Sequence, residues 1–182
     1  NDRDFDIKAA GTAMRFLTAF LSKVVGEWTI TGTERMKNRP IKILVDALNA
    51  LGARVEYMEK EGYPPLRIFG SALHGGEISL AGGVSSQYIS ALLMIAPLME
   101  NGLTLHLEGN IISKPYINLT LQLMAQYGVK AEWDGQTIKV RPQEYNPVPF
   151  TVESDWSAAS YWYSMMALSR NAEIELLGLF KN

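Results

Sequence analysis

The chain of 182 residues contains no cysteine and only two histidines. Without cysteine it has no disulfide, no thiolate nucleophile and no cysteine-ligated metal. His74 lies in a glycine-rich turn and His106 in an alternating stretch, and their spacing is not that of metal ligands. We therefore expect no metal and no cofactor. The missing cysteine fits a reducing compartment, so we expect a cytoplasmic protein.

The chain has a small net charge and no long apolar run. The formal net charge of -2 excludes the strongly basic surface that nucleic-acid binding requires. The longest apolar run, residues 89–99, is too short to span a bilayer and contains Ser90 and Pro97. We therefore expect no nucleic-acid partner and no membrane partner.

A pattern of helix, glycine and strand occurs twice. Residues 44–56 and 120–132 align at one constant offset, and both read as an amphipathic helix followed by a glycine and a strand. Gly52 and Gly128 are predicted to end these helices in the left-handed conformation, which glycine adopts most readily.

Alternating stretches typical of half-buried strands cover residues 26–32, 102–109 and 172–178. Each follows a helix that is apolar nearly all round, and such helices are buried. The apolar residues of these helices are Phe16, Leu17, Phe20 and Leu21 in the first, residues 88–99 in the second and residues 161–168 in the third. The sequence therefore predicts an α/β fold of repeated βαβαββ units, with buried helices and outward sheets.

The repeats suggest a division of the chain into lobes. We assign residues 1–149 to two repeat units of a first lobe and residues 150–182 to the start of the next unit, which begins a second lobe. The segment 141–149, rich in proline and polar residues, is the predicted boundary. Because the chain begins with Asn1 and its third unit is incomplete, we expect it to be a piece of a longer protein.

Basic residues accompany three predicted helix starts. Pro40 and Pro115 are each predicted as a first helical residue, which would place Arg39 and Lys114 at the N-cap positions, while Arg15 falls in a first turn. The helix dipole disfavours a cation there. The pattern indicates an anion bound jointly by backbone N–H groups and basic side chains, and hence an acidic small molecule as ligand.

The same residues also have ordinary alternatives. Arg39 and Lys114 could be solvated loop cations beside a proline, and Ser85 and Ser113 could simply cap helices. Arg15 could lie along apolar surface with its guanidinium in water.

Six short motifs follow one another in a recognisable order. They are Gly-Thr-Ala-Met-Arg at 11–15, Arg-Met-Lys-Asn-Arg-Pro-Ile at 35–41, Gly-Tyr-Pro-Pro-Leu at 62–66, Val-Ser-Ser-Gln at 84–87, Ser-Lys-Pro-Tyr-Ile at 113–117 and Asp-Trp-Ser-Ala-Ala-Ser-Tyr at 155–161. Over nearly the whole chain, their order and spacing resemble those of the 5-enolpyruvylshikimate-3-phosphate synthases. The resemblance implies the inside-out α/β barrel of the enolpyruvyl transferases, incomplete in this chain.

The resemblance also implies an activity. Members of the family transfer the enolpyruvyl group of phosphoenolpyruvate to the 5-hydroxyl of shikimate 3-phosphate and release phosphate, on the route to chorismate and the aromatic amino acids. Both substrates are phosphorylated, which agrees with the anion sites expected from the residues. The family's catalytic Asp and Glu lie beyond Asn182, so the resemblance places the catalytic groups outside this chain.

Site residues follow from the resemblance position by position. The contacts it implies for shikimate 3-phosphate are Ser85, Ser86, Gln87, Ser113 and Tyr116. Those for phosphoenolpyruvate are Gly11, Arg39 and Gln87, and the herbicide glyphosate sits at Gly11 in the family. Arg15 and Arg35 would shape the electrostatic field around the site.

A hypothesis of another class remains open: a non-catalytic phosphate-binding module or repeat domain. For the active-enzyme hypothesis we expect a full-length monomer. An incomplete set of repeat units exposes apolar surface, so we expect the isolated chain to self-associate or to be marginally stable. Because the resemblance places the catalytic groups outside this chain, we expect the isolated chain to turn over no substrate.

Overall fold

Two successive series of strands and helices share one order of elements. The computed structural model describes residues 3–180, and the chain divides after Pro147 into two compact units. The first series consists of β1 (Asp4–Asp6), α1 (Gly11–Lys23), β2 (Gly26–Thr31), α2 (Glu34–Lys37), α3 (Lys42–Ala50), β3 (Arg54–Tyr57) and β4 (Leu66–Gly70). The second consists of β5 (Gly76–Ala81), α4 (Ser86–Ile95) with a 3-10 turn (Ala96–Leu98), β6 (Leu103–Glu108), α5 (Lys114–Gln126), β7 (Ala131–Asp134) and β8 (Thr137–Val140).

Each series forms a four-stranded sheet, and the two sheets have the same topology. The strand orders are β1-β2-β4-β3 and β5-β6-β8-β7. In both, the first two strands are parallel, with Phe5 opposite Ile30 and Ile78 opposite Leu105, and the remaining pairs are antiparallel. The predicted α/β fold of repeated βαβαββ units is confirmed.

The glycines after α3 and α5 end both helices in the same way. Gly52 has φ +100° and Gly128 has φ +86°. After each glycine the next N–H reaches back across the last turn, from Ala53 to Leu48 O at 2.9 Å and from Val129 to Met124 O at 3.0 Å. This is the Schellman arrangement, and the predicted left-handed helix ends are confirmed.

Helices α1 and α4 form the centre of the first unit and pack against each other. The prediction for α4 is confirmed, because its side chains are buried nearly all round. The prediction for α1 is partly wrong. Phe20 is half exposed, and the buried face instead carries Met14, Thr18 and Ser22. The two hydroxyls donate to carbonyls one turn earlier, at 2.6 and 2.8 Å, so their burial leaves no donor unpaired.

Two predicted helix starts are displaced. Helix α3 begins at Lys42, so Arg39 and Pro40 lie in the loop after α2 and not at a helix cap. The reason is that backbone groups in this loop form hydrogen bonds to distant parts of the chain. Ile41 donates its N–H to Gly62 O, and the Pro40 carbonyl accepts from the side chains of Arg15 and Tyr88. In α5, Ser113 is the N-cap and Lys114 the first helical residue.

Among the described residues of the second unit, which end at residue 180, one stretch is helical, α6 (Trp156–Leu168). The predicted burial of residues 161–168 is wrong, since Tyr161 is 70% and Leu168 89% exposed. The strand predicted at 172–178 is also wrong. A strand needs a ladder partner and an apolar helix needs a covering layer, and the described residues of this unit supply neither.

Polar contacts hold the last residues of the first unit, which follow β8, in place. The Gln143 side chain accepts from Lys130 N and donates to Lys130 O, both at 2.8 Å. The Tyr145 hydroxyl donates to Met94 O at 2.7 Å, and burial raises the pKa of Tyr145 to about 12.

Because the pKa of Tyr145 is raised, the stability of the chain is expected to fall at alkaline pH. Its pKa in the folded state lies above the usual value of about 10. Its stabilising contribution is therefore present below about pH 10 and is lost as the pH rises toward 12. We expect Tyr145→Phe to lose less stability than the wild type between these limits, measured by urea unfolding at stepped pH. The control is Tyr161→Phe, which removes an exposed hydroxyl and should follow the wild type. Parallel pH curves for wild type and Tyr145→Phe would contradict the assignment.

Candidate functional site

Four of the six motifs each follow a strand of a parallel pair: 11–15 follows β1, 35–41 follows β2, 84–87 follows β5 and 113–117 follows β6. In a parallel pair the carboxyl ends of both strands meet at the same edge. Strands β1 and β2 lead into α1 and α2, and strands β5 and β6 lead into α4 and α5. Each sheet therefore presents two helix N-termini side by side, and the N–H groups of these helices point toward any ligand bound there.

A side-chain hydrogen bond joins the site residues of the two sheets. Gln87 in the first turn of α4 donates through Nε2 to Thr12 Oγ1 in the first turn of α1, at 3.1 Å. Residues 75 positions apart in sequence are thereby in contact. The structure thus brings the predicted contact Gln87 next to Gly11.

Gly11 lies beneath two guanidinium groups. A Cβ added to this glycine would collide with the Arg39 guanidinium and would lie 2.9 Å from Arg15 Nη1. Helix α1 has Ala10 as N-cap, without a side-chain capping bond, and no acidic residue in its first turn. The start of α1 therefore combines two cations with an uncapped helix end.

Arg15 is buried, with 4% of its surface exposed. Nη1 donates to Gly11 O at 2.9 Å and Nη2 donates to Pro40 O at 3.2 Å, whereas Nε has no partner among the described residues. The Tyr88 ring lies 5.7 Å from its guanidinium carbon. The alternative in which this guanidinium lies in water is wrong.

The second sheet contributes hydroxyl and amide groups at the starts of α4 and α5. Ser85 caps α4 by accepting from Gln87 N at 3.3 Å, so the capping alternative is confirmed for this serine. Ser86 is the first residue of α4 and is partly exposed. Ser113 occupies the N-cap of α5 without a side-chain capping bond, and Tyr116 in the first turn is 65% exposed.

Arg35 lies on α2 and is exposed. It lines a pocket of about 260 Å³ together with Arg39 and with Ala9, Thr33 and Met36. Both arginines predicted from the second motif thus border one concave surface.

The structure adds Thr12 and Tyr88 to the residues predicted from sequence. Thr12 holds Gln87, and the Tyr88 hydroxyl donates to Pro40 O at 2.7 Å. Both lie inside or beside motifs already noted, but their partners are 75 and 48 positions away, and the sequence carries no signal for those pairings.

This arrangement suits a ligand with several anionic groups. Arginines supply forked donors for carboxylate and phosphate, and uncapped helix starts supply backbone N–H groups. The predicted site residues include no carboxylate and no histidine, so their groups are suited to binding an anion and not to exchanging protons with it. Between residues 3 and 180, no group of three or more His, Cys, Asp or Glu side chains could hold a metal ion. The helices in this range are all too short or too polar to span a bilayer.

The comparison with protein families is decisive. The sequence profile of the EPSP synthase (3-phosphoshikimate 1-carboxyvinyltransferase) family matches residues 1–182. The chain belongs to the EPSP synthase family. The resemblance inferred from the six motifs is thereby confirmed.

Two relatives carry the name 3-phosphoshikimate 1-carboxyvinyltransferase. The protein from Bacteroides fragilis is 65% identical over 178 residues, which cover 97% of this chain and 43% of that protein. The protein from Photobacterium damsela subsp. piscicida is 47% identical over 176 residues, which cover 95% of this chain and 41% of that protein. The chain therefore spans less than half the length of these family members.

A solved structure of the family has the same fold. The EPSP synthase from Acinetobacter baumannii matches with a TM-score of 0.75 at 22% sequence identity, over 88% of this chain and 36% of that chain.

Alanine substitution of Gly70 and of Gly11 is predicted to lower the free energy of unfolding by different amounts, because different atoms surround the two glycines. At Gly70 a Cβ would strike the backbone carbonyls of Val24 and Leu21, which cannot move aside, whereas at Gly11 the nearest atoms belong to the Arg39 guanidinium. We expect Gly70→Ala to lower the free energy of unfolding by about 2 kcal/mol or more, and Gly11→Ala by less than about 1 kcal/mol. Urea unfolding measures both.

Gly83→Ala is the matched control. Among residues 3–180 its Cβ would meet only Ile112 Cδ1, at 3.6 Å, so the substitution should change stability little. Equal losses for Gly11→Ala and Gly70→Ala would show that the Arg39 guanidinium is fixed in place.

Proposed function

We propose that the chain is the substrate-binding part of a 3-phosphoshikimate 1-carboxyvinyltransferase. The full protein transfers the enolpyruvyl group of phosphoenolpyruvate to the 5-hydroxyl of shikimate 3-phosphate and releases phosphate. The observation that carries the proposal is the convergence of Arg15 and Arg39 on the uncapped start of α1, beside Gln87. Family membership and the names of the relatives at 65% and 47% identity support the same reaction.

Shikimate 3-phosphate binds, on this proposal, at the starts of α4 and α5. Ser85, Ser86 and Ser113 offer hydroxyl and backbone N–H donors to its phosphate, and the N-terminal dipoles of both helices favour that charge. Tyr116 is sufficiently exposed to lie against the carbocyclic ring. The two helix starts are adjacent, since Ile112 N donates to Gly82 O at 3.4 Å just before them.

Phosphoenolpyruvate binds, on the same proposal, between Gly11, Arg39 and Gln87. Because Gly11 has no side chain, the Arg39 guanidinium can lie directly against the start of α1, where even a Cβ would collide with it. Arg15 and Arg35 raise the local positive potential without direct contact to both substrates. Gln87 serves both substrates, because it lies in the first turn of α4 and donates to Thr12 of α1.

Residues 1–149 contribute two repeat units of the first lobe, and residues 150–182 begin the next unit, which starts the second lobe. On this proposal the groups that donate and accept protons belong to the remainder of the protein, because the predicted site residues include no carboxylate and no histidine. The chain covers 43% of its Bacteroides fragilis relative. We further propose a cytoplasmic, monomeric full-length enzyme whose partners are its two small-molecule substrates.

Titration calorimetry of the isolated chain tests the first binding step. We expect shikimate 3-phosphate to bind and shikimate, which lacks the phosphate, to bind far more weakly, with Ser113→Ala abolishing the phosphate-dependent part. The control is Ser71→Ala, an exposed serine next to Gly70, which pairs with Gly26 at the amino end of β2 and so lies away from the helix starts. Equal binding of both ligands by the folded chain would contradict the proposed phosphate site.

Substitution of Arg39 in the full-length enzyme tests the second site. We expect Arg39→Ala to raise the KM for phosphoenolpyruvate about ten- to a hundredfold, because a charged hydrogen bond to the ligand is lost. Thermal stability should hardly change, since the side chain is exposed. Arg67→Ala, another exposed arginine paired with Glu27 at 3.5 Å, is the matched control. An unchanged KM for phosphoenolpyruvate in Arg39→Ala would contradict the proposed contact between Arg39 and this substrate.

A further inference from the structure

We infer that Tyr88 is a positioning residue for phosphoenolpyruvate, an inference that rests on the proposed function. Its hydroxyl holds the Pro40 carbonyl and thereby keeps the Arg39 guanidinium over Gly11. The residue is 8% exposed, and its hydroxyl donates to Pro40 O at 2.7 Å. Tyr88 acts through the backbone of Pro40, the residue after Arg39, and touches neither substrate.

The Pro40 carbonyl is held from two sides. Tyr88 of α4 and Arg15 of α1 both donate to it, the latter through Nη2 at 3.2 Å. A carbonyl oxygen has two lone pairs, so both bonds form together. One backbone atom of the loop between α2 and α3 is thereby tied to both buried helices.

The loop needs this anchor because the Arg39 side chain has none of its own. Within residues 3–180 its guanidinium forms no ion pair. It lies close to the Arg15 guanidinium above Gly11, where like charges repel each other. The position of Arg39 therefore depends on its backbone, and the atoms that hold the backbone on its C-terminal side are Pro40 O and the Ile41 N–H, which donates to Gly62 O at 2.9 Å.

The contact also links the two proposed subsites. Tyr88 follows Gln87 directly on α4, whose first turn is the proposed place of the shikimate phosphate. Pro40 follows Arg39, the proposed contact to phosphoenolpyruvate. One hydrogen bond thus sets the distance between the start of α4 in the second series and the arginine of the first.

Tyr88→Phe in the full-length enzyme isolates this bond, since the ring beside Arg15 remains and only the hydroxyl is lost. We expect the KM for phosphoenolpyruvate to rise about fivefold, the effect of one neutral hydrogen bond. The KM for shikimate 3-phosphate and kcat should stay at wild-type values, because the residues proposed to contact that substrate are untouched. Such a split between the two KM values is not expected from a merely structural role.

Tyr145→Phe is the matched control. It removes a hydroxyl that also donates to a backbone carbonyl at 2.7 Å, here Met94 O, and it should leave both KM values unchanged. Thermal unfolding of both variants accounts for any general loss of stability.

The outcomes separate the two proposals. An active wild type with an unchanged KM for phosphoenolpyruvate in Tyr88→Phe overturns the positioning role alone, as does an equal rise in both KM values. A folded full-length wild type without turnover overturns the proposed function and, with it, this inference.

Discussion

The packing of α1 against α4 is the contact on which the rest of the structure depends. Helix α4 has almost no polar face, and α1 meets it with a face whose buried hydroxyls are bonded within the helix. Because the two helices belong to different series, their burial joins the two series within the first unit and leaves the sheets to cover the outside. This packing also brings the start of α1 close to the start of α4, and the hydrogen bond from Gln87 to Thr12 connects them.

That arrangement concentrates positive charge where the protein does not neutralise it. Arg15 and Arg39 approach the same glycine, and neither α1, α4 nor α5 carries an acidic residue in its first turn. Two like charges about 4 Å apart cost roughly 1 kcal/mol even in water and more where solvent is partly excluded. On the proposed function, a bound anion removes this cost. Local disagreement with the rules of helix stability is expected at a ligand site.

Features set by neighbouring residues were predictable from the sequence. The glycine ends of α3 and α5 are local, because a residue without a Cβ is needed at one turn, and both were predicted correctly. The repeat and the fold class followed from periodicity for the same reason. The start of α3 was not predictable, because the Pro40 carbonyl bonds to Tyr88, 48 positions away. The predicted burial of α6 was wrong for a similar reason, since a sequence pattern shows that a helix is apolar but not which layer covers it.

The way Arg39 is held bears on what it can do. An arginine is often fixed by a carboxylate, but that partner would cancel the charge which an anionic ligand is meant to meet. Here the support comes from neutral groups on the backbone next to it, the Pro40 carbonyl and the Ile41 N–H. The guanidinium therefore keeps its full charge and its five donors for the ligand. A binding site can in this way be pre-organised without being neutralised, which is the condition for strong electrostatic recognition.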